Sequence, residues 1–184
     1  HVRSRRQRQM CIRDSLSAAQ FENFIEAYPK SEKFEEANFM IAKCYYMLSP
    51  VYSLDQEDTN TAIEKLQIFL NNYPKSTYVQ EANNLISELQ EKLEKKEFEI
   101  SRQYYTIRDY KAAIRSVDNF IGEFAGTKYR EEAMYYKFLS SYEIALNSIQ
   151  SKKLDRLKEL KQLHSSIIKY YPETIFPVSY THLT

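Results

Sequence analysis

The sequence predicts an all-α solenoid of helix pairs, and three observations support this fold class. First, an aromatic helix end and a corner recur four times, at Tyr28-Pro29, Tyr73-Pro74, Phe124-Ala125 and Tyr171-Pro172. Second, the corners are roughly 45 to 51 residues apart, which is a period typical of helical repeat arrays. Third, the chain has only two glycines and five prolines in 184 residues, so long helices are expected and a sheet-rich fold is not.

The first two helices flank the first corner. Leu16–Tyr28 is predicted as a helix because its apolar residues fall at helical spacing. Ser31 is the predicted N-cap of a second helix over about Glu32–Leu48, which Ser49-Pro50 ends. The following segment, residues 51–60, is longer than a tight helical hairpin needs, and long connectors in compact arrays are often functional.

The third and fourth helices flank the second corner. Thr59 or Asn60 is predicted to cap the third helix, and Ser76 or Thr77 to cap the fourth. With neither glycine nor proline to interrupt it, the fourth helix is predicted to extend over about residues 77–107. Its predicted buried stripe is Ala82, Leu85, Ile86, Leu89, Leu93, Ile100, Tyr104 and Ile107.

Three further helices complete the predicted set of about seven. The corner Arg108-Asp109 precedes them, and Gly126-Thr127 turns the chain between the first two of them. Their predicted spans are about Tyr110–Phe124, Lys128–Leu146 and, after a polar connector over residues 147–153, Leu154–Tyr171.

The two ends of the chain do not fit the repeat pattern. Residues 1–15 are basic and lack an apolar stripe, and they contain no apolar core of a secretory signal. The segments M-C-I-R-D-S and P-V-S-Y-T-H-L-T look like translated sequencing-adapter ends. We therefore expect residues 1–15 and 177–184 to be non-native, with the repeat array over residues 16–176 and both true termini missing.

Composition argues against several classes of function. A net charge of +1 is unlike that of a dedicated nucleic-acid binder. No run of about 18 apolar residues suggests a membrane span. Two of the three histidines lie in the suspect ends, so neither a metal cluster nor a Ser-His-Asp set can be assembled, and no glycine-rich phosphate loop is present. We expect no enzyme and no cofactor; the carboxylates of Asp55, Glu57 and Asp58 are interpreted as shaping the connector.

Tyrosine doublets recur on four of the predicted helices. They are Tyr45-Tyr46, Tyr104-Tyr105, Tyr135-Tyr136 and Tyr170-Tyr171. Neighbours on a helix point about 100° apart, so one ring of each pair can pack while the other faces a groove. Packing of both rings between helices is the alternative. An exposed tyrosine is a good anchor for a bound peptide because it offers contact area at low entropic cost.

The helix pairs resemble tetratricopeptide repeats. The segment D-Y-K-A-A-I-R-S-V-D-N-F places Tyr110, Ala113 and Phe120 as in the second helix of that repeat, and E-E-A-M-Y-Y-K-F-L-S-S-Y is similar to its first helix. The spacing is longer than the usual unit of about 34 residues.

The resemblance becomes more specific between Tyr45 and Tyr105. An acidic connector followed by a helix with a Tyr-Pro-x-Ser end is similar to the BamD family of outer-membrane protein assembly factors. The residues that match are Asp55, Gln56, Thr59, Ala62, Tyr73, Pro74 and Ser76. The later stretch K-L-E-K-K-E-F-E-I-S-R-Q-Y-Y also matches, with Ser101 where the family often has alanine.

The resemblance implies a non-enzymatic scaffold at the periplasmic face of the outer membrane, held by a lipid anchor that this fragment would lack. Its implied partners are unfolded outer-membrane proteins, at the N-terminal repeats, and the periplasmic POTRA domains of the barrel-type insertase, at the C-terminal repeats. A tetratricopeptide adaptor of another cell-envelope or cytosolic complex is the alternative.

Two sets of residues are candidates for these contacts. For the substrate peptide we select Tyr46, Tyr52, Asp55 and Gln56. For docking of the insertase we select Arg115, Lys128, Tyr129 and Arg130.

Overall fold

A computed structural model describes residues 16–173, and in that range the chain forms helices and turns and no strand. The helices are α1 (residues 16–27), α2 (Phe34–Leu48), α3 (Glu57–Asn72), α4 (Val79–Thr106), α5 (Tyr110–Glu123), α6 (Arg130–Leu146) and α7 (Gln150–Tyr170). The predicted all-α, tetratricopeptide-like repeat of seven helices is confirmed. The predicted non-native ends and residues 174–176 of the predicted array lie outside the described residues.

The helices form two compact units, with the boundary between Leu93 and Glu94 inside α4. In the first unit α2 packs against α3, and the start of α4 contributes to the same core. Three alanines are buried in this core, and larger apolar side chains fill the space around them. The buried cluster consists of Phe39, Ala42, Ala62, Leu66, Phe69, Ala82, Leu85, Ile86 and Leu89.

In the second unit α5 packs against α6, and α6 packs against α7. One buried cluster comprises Phe98, Val117, Phe120 and Ala133. A second cluster comprises Phe138, Leu160 and Ile167, and joins α6 to α7. His164 of α7 is also buried, with its ring centroid 5.8 Å from that of Phe138.

The corner between α3 and α4 is held by one serine. Ser76 N donates to Tyr73 O at 3.1 Å, and Ser76 Oγ accepts from Tyr78 N at 3.1 Å. Because α4 begins only at Val79, this hydroxyl orders the turn two residues before the helix. The prediction of Ser76 or Thr77 as the N-cap of α4 is therefore wrong by one or two residues, because Tyr78 directly precedes the helix.

The corners before α2 and α6 use the same device. Ser31 Oγ accepts from Lys33 N at 3.1 Å, and Thr127 Oγ1 accepts from Tyr129 N at 3.2 Å. Lys33 and Tyr129 themselves occupy the N-cap positions, without a side-chain cap. The prediction of Ser31 as N-cap is corrected in the same way: a hydroxyl can satisfy a backbone N–H in a turn as well as at a helix start.

The start of α3 differs more from the prediction. Gln56 is the N-cap residue, and Thr59, which was predicted as a possible cap together with Asn60, lies inside the helix with no exposed surface. The Thr59 hydroxyl donates to Gln56 Oε1 at 2.8 Å and bonds to Ser49 Oγ at 2.7 Å, so this buried polar group is satisfied.

Helix α4 is continuous, which confirms the predicted long helix. Its buried stripe differs from the prediction beyond Leu93: Phe98 and Ser101 are buried, whereas Tyr104 and Ile107 are exposed. Ser101 Oγ is satisfied by Glu97 O at 3.1 Å and Ser116 Oγ at 2.8 Å, so a polar residue can occupy the core.

The predicted corner after α4 is confirmed. Arg108 has a positive φ of 65°, the left-handed conformation that commonly ends a helix. Asp109 caps α5 by accepting from Ala112 N at 3.1 Å.

The connector before α7 is shorter than predicted. Helix α7 begins at Gln150 because Ile149 is extended and its carbonyl oxygen accepts from Lys152 N at 3.0 Å. The polar residues after Ile149 therefore form the first turn of the helix.

Candidate functional site

The four predicted substrate residues lie near one another in sequence, at the end of α2 and in the connector between α2 and α3. Tyr46 lies in the last turn of α2, and its carbonyl oxygen accepts from Ser49 N at 3.1 Å. Its hydroxyl donates to Glu88 Oε2 of α4 at 2.5 Å. This bond to a carboxylate, with burial adding to it, raises the pKa of Tyr46 to about 12. The Tyr46 hydroxyl is thus fixed within the fold, and its ring remains half-buried.

Gln56 has a buried, structural position. Only 5% of its surface is exposed, and its Nε2 lies 3.0 Å from Val51 O and 2.9 Å from Leu54 O. Its Oε1 accepts from Thr59 Oγ1 at 2.8 Å. Because its polar atoms bond to the connector itself, Gln56 shapes this segment.

The other two predicted substrate residues lie nearer the surface. Asp55 is exposed, and its Oδ1 accepts from Gln56 N at 2.7 Å. Tyr52 is half-buried, in the turn that Leu54 N closes by donating to Val51 O at 3.0 Å. On the surface of this connector, Tyr52 and Asp55 are therefore the more accessible members of the predicted set.

The tyrosine doublets divide into two kinds. Tyr104 and Tyr170 are exposed while their neighbours are half-buried, as expected if one ring packs and the other does not. Both rings are half-buried in the Tyr45-Tyr46 and Tyr135-Tyr136 pairs. The doublet alone therefore did not determine which tyrosine is accessible.

A groove between α1 and α2 was not anticipated from the sequence. Its volume is about 500 Å³, and Phe21, Phe24, Ala37 and Met40 give it an apolar surface. An ion pair between Lys33 Nζ and Glu36 Oε2, at 2.7 Å, lies among its lining residues. Phe21 and Phe24 lie at helical spacing on α1 and are each half-buried, and this spacing alone could not show how far their face is covered.

Three of the predicted docking residues adjoin one another at the α5–α6 corner. Lys128 is exposed, with Nζ 5.3 Å from the centroid of the Tyr129 ring. Arg130 Nη1 donates to Ala125 O at 3.2 Å. The Tyr129 ring stacks on Phe98, with centroids 5.0 Å apart and planes at 10°. We name Lys128, Tyr129 and Arg130 the basic corner.

Arg115 does not belong to this cluster. It is exposed in the first half of α5, whereas the basic corner follows the C-terminal end of that helix. From Arg115 to Glu123 the helix rises about 12 Å. Arg115 and the basic corner are thus two separate positive positions on the same unit.

Within residues 16–173, no group of three or more His, Cys, Asp or Glu side chains is arranged to hold a metal ion. In the same part of the chain, none of the helices combines the length and apolar character needed to cross a membrane. The candidate surfaces are therefore described by their apolar groups, charges and hydrogen bonds.

Comparison with known proteins identifies the family. A family model described as YfiO, outer membrane lipoprotein, matches residues 13–108, slightly more than half of the chain. No curated protein matches the chain. The matched range contains the connector and the Tyr73-Pro74 corner, which carry the resemblance to BamD. The chain therefore belongs to the YfiO family of BamD-like outer membrane lipoproteins, which act in the β-barrel assembly complex at the periplasmic face of the outer membrane.

Proposed function

We propose that this chain is a non-enzymatic scaffold whose first unit binds unfolded barrel substrates and whose second unit docks the periplasmic POTRA domains of the barrel-type insertase. The observation that carries the proposal is the apolar groove between α1 and α2, which lies within the range matched by the family model. An unfolded barrel protein exposes the apolar side chains that will later face the lipid, and such a groove can bury them.

The size and lining of the groove suit a peptide segment. Its volume of about 500 Å³ lies in the range of pockets that bind ligands with high burial. Phe21 and Phe24 provide rings for apolar contact, and Lys33 and Glu36 provide polar groups beside them. An extended segment can therefore place apolar side chains in the groove while its backbone stays near polar partners.

The connector is the second surface in the first unit. The groove uses residues in the first half of α2, up to Met40, and the connector follows Leu48 at the end of the same helix. The rise between these residues is about 12 Å, which about four extended residues span. In this arrangement Tyr52 and Asp55 contact the substrate, while Tyr46 and Gln56 hold the surface in place.

For the insertase, the basic corner and Arg115 are the proposed contacts. Lys128 and Arg115 are exposed and can meet acidic side chains of a partner domain. Stacking of Tyr129 on Phe98 and the bond from Arg130 to Ala125 fix the backbone that presents Lys128.

Docking is tested by measuring binding of the full chain to the soluble POTRA segment of an insertase from the same source. The triple variant Arg115→Glu, Lys128→Glu and Arg130→Glu should weaken binding by at least tenfold, because opposite charges in the interface become like charges. Reversal of Lys30, Lys75 and Lys161, which are exposed elsewhere, is the matched control. Equal affinity of both variants would remove the basic corner and Arg115 from the interface.

Substrate binding is tested with a urea-unfolded barrel protein diluted onto the full chain. Met40→Asp places a charge in the groove and should weaken binding, because burying it would cost more than the contact gains. Leu154→Asp, at a residue of α7 that is 68% exposed, is the control. Circular dichroism of both variants checks that they fold. If a folded Met40→Asp chain binds like the wild type, the groove is not the substrate site.

A further inference from the structure

The connector exposes two aliphatic side chains side by side. Val51 and Leu54 are each 53% exposed, and they are the end residues of the turn that the bond from Leu54 N to Val51 O closes at 3.0 Å. The ends of such a turn lie within about 7 Å of each other. The two side chains therefore project from neighbouring backbone positions and are only partly covered.

A buried amide fixes this turn. The Nε2 of Gln56 lies within hydrogen-bond distance of both ends, Val51 O and Leu54 O, and is 3.2 Å from Asp55 O. Since Gln56 is nearly inaccessible to water, breaking these bonds would leave buried polar groups unpaired. The exposed aliphatic pair is thus held in one conformation and does not collapse onto the core.

A chain of hydrogen bonds ties Gln56 to α4. Thr59 Oγ1 donates its proton to Gln56 Oε1, so Ser49 Oγ, at 2.7 Å from Thr59 Oγ1, must be the donor of the next bond. Lys92 Nζ of α4 then donates to Ser49 Oγ at 2.6 Å. Each of these three hydrogen bonds pairs one donor with one acceptor, and together they fix α3, α4 and the connector to one another.

The charged side chains of the connector and of the first turn of α3 are all acidic, and Lys92, the cation that reaches Ser49 from α4, is half-buried. Asp55, Glu57 and Asp58 are exposed, and no ion pair involves them within the described part of the chain. The N-terminal end of α3 accounts for the presence of Glu57 and Asp58, because carboxylates are favourable there. Asp55 precedes the N-cap, where this effect does not require it. The surface therefore complements a partner that is apolar and positively charged.

We propose that the Val51–Leu54 turn with its neighbouring carboxylates selects extended substrate segments in which an apolar side chain lies beside a lysine or arginine. This selectivity rests on the proposed function, the binding of unfolded barrel proteins by the first unit, and adds the class of segment that the connector recognises. Because Gln56 already orders the turn in the free protein, the connector loses little conformational entropy when a segment binds.

The test uses the full chain and a set of three fluorescent peptides. The first contains isoleucine, phenylalanine and two lysines in an extended, threonine-rich background. In the second peptide both lysines are replaced by glutamate, and in the third both apolar residues are replaced by serine. We expect the first peptide to bind at least tenfold more tightly than either of the others, with an affinity that falls as salt is added, since the charges are exposed to solvent.

Two variants assign this preference to the connector. Val51→Ser with Leu54→Ser should weaken binding of the first peptide about tenfold. Asp55→Asn with Glu57→Gln and Asp58→Asn should remove the preference for lysine over glutamate, while Asn at position 55 can still accept from Gln56 N. Ile149→Ser with Leu154→Ser, at exposed residues in the second unit, is the matched control.

The outcomes separate this inference from the proposed function. If the wild type binds an unfolded barrel protein but does not prefer the lysine peptide, or if the connector variants bind like the control, the selectivity is overturned and the proposed function stands. If the wild type binds neither the barrel protein nor the peptides, both are overturned. The inference is supported if the Val51→Ser, Leu54→Ser variant binds the first peptide more weakly and the carboxylate variant loses the preference for lysine, both with unchanged circular dichroism.

Discussion

The two units contain the same aromatic assembly at equivalent places. In the first unit the rings of Phe39 and Tyr78 stack with centroids 4.6 Å apart and planes at 13°. In the second unit Phe98 and Tyr129 stack at 5.0 Å and 10°. Each tyrosine follows a corner whose hydroxyl accepts from the N–H of that tyrosine. The repeated sequence thus encodes the same packing in both units.

The polar surroundings of this assembly differ between the units. Tyr46 lies seven residues after Phe39, and Tyr105 lies seven residues after Phe98. Tyr46 donates to Glu88, but fifty-one residues later, at the spacing between the two corners, the place of Glu88 is taken by Leu139. The pKa of Tyr105 is raised chiefly by burial. The interior of the repeat is therefore the same in both units, whereas the polar groups around it differ.

Truncation of the stacked phenylalanines should have the largest effect in both units. Phe39 and Phe98 are 1% and 3% exposed, so Phe39→Ala and Phe98→Ala should each lower the free energy of unfolding by about 3–5 kcal/mol. Urea unfolding followed by circular dichroism measures both. Tyr170→Ala, at a residue that is 72% exposed, is the control and should change stability by less than about 0.5 kcal/mol. A large loss for one phenylalanine only would show that the two assemblies are not equivalent.

Much of this fold follows directly from the sequence. The corners could be located because an aromatic residue and a turn follow α1, α3, α5 and α7, and the length of α4 follows from the absence of glycine and proline. The caps were assigned to the wrong register because Ser31 and Ser76 can bond either to a helix N–H or to a turn N–H, and only the backbone path decides between them.

The candidate site was less predictable for a physical reason. Gln56 is polar and lies in an acidic connector, so its sequence context indicates exposure, yet three carbonyl groups of the connector surround its amide. That arrangement depends on the path of the connector and on Thr59. Likewise, the helical spacing of Phe21 and Phe24 cannot distinguish a face covered by another helix from the wall of an open groove.

The corner hydroxyls give the next largest expected effect. Thr127 is 7% exposed and Ser76 is half-buried, so loss of the hydroxyl should cost more at Thr127. We expect Thr127→Val to lower the free energy of unfolding by about 1–2 kcal/mol and Ser76→Ala by about 0.5–1 kcal/mol. Thr127→Ser keeps the acceptor and separates the hydrogen bond from the packing of the methyl group. If valine and serine cost the same, the hydrogen bond is not what holds the corner.

The contribution of the Tyr46–Glu88 hydrogen bond to the free energy of unfolding should depend on pH. Unfolded tyrosine titrates near pH 10, whereas the pKa of folded Tyr46 is about 12. The folded state therefore holds its proton more tightly, so the contribution of the bond is complete below pH 10 and is lost as the pH rises from 10 to 12. Tyr46→Phe should lower the free energy of unfolding by about 0.5–1.5 kcal/mol at neutral pH and by less in the alkaline range.

Urea unfolding of the wild type and of Tyr46→Phe at several pH values measures this difference. Tyr105→Phe is the matched control in the second unit, because the pKa of Tyr105 is raised chiefly by burial. A stability difference for Tyr46→Phe that stays constant up to pH 12 would contradict the assigned role of Glu88.

The smallest expected effect tests whether proline is needed at the corner at all. Ala125 occupies the place of Pro74, and the preceding residues have similar backbone angles: φ −112° and ψ 66° at Phe124, φ −128° and ψ 60° at Tyr73. Ala125 N–H makes no hydrogen bond among the described residues, so proline there removes nothing. Ala125→Pro should therefore raise the free energy of unfolding by about 0.4–1 kcal/mol, chiefly by restricting the unfolded chain.

Ala112→Pro is the contrasting variant, because Ala112 N donates to the Asp109 cap and proline would break that bond. It should lower the free energy of unfolding by about 1 kcal/mol, the usual contribution of a cap. Both changes are measured by urea unfolding against the wild type. Stabilisation by Ala125→Pro alone would mean that the backbone bonds and the hydroxyl already define the corner, and that proline at Pro74 only makes it more rigid. Destabilisation by Ala125→Pro would instead show that the two corners differ in their backbone and only look alike in sequence.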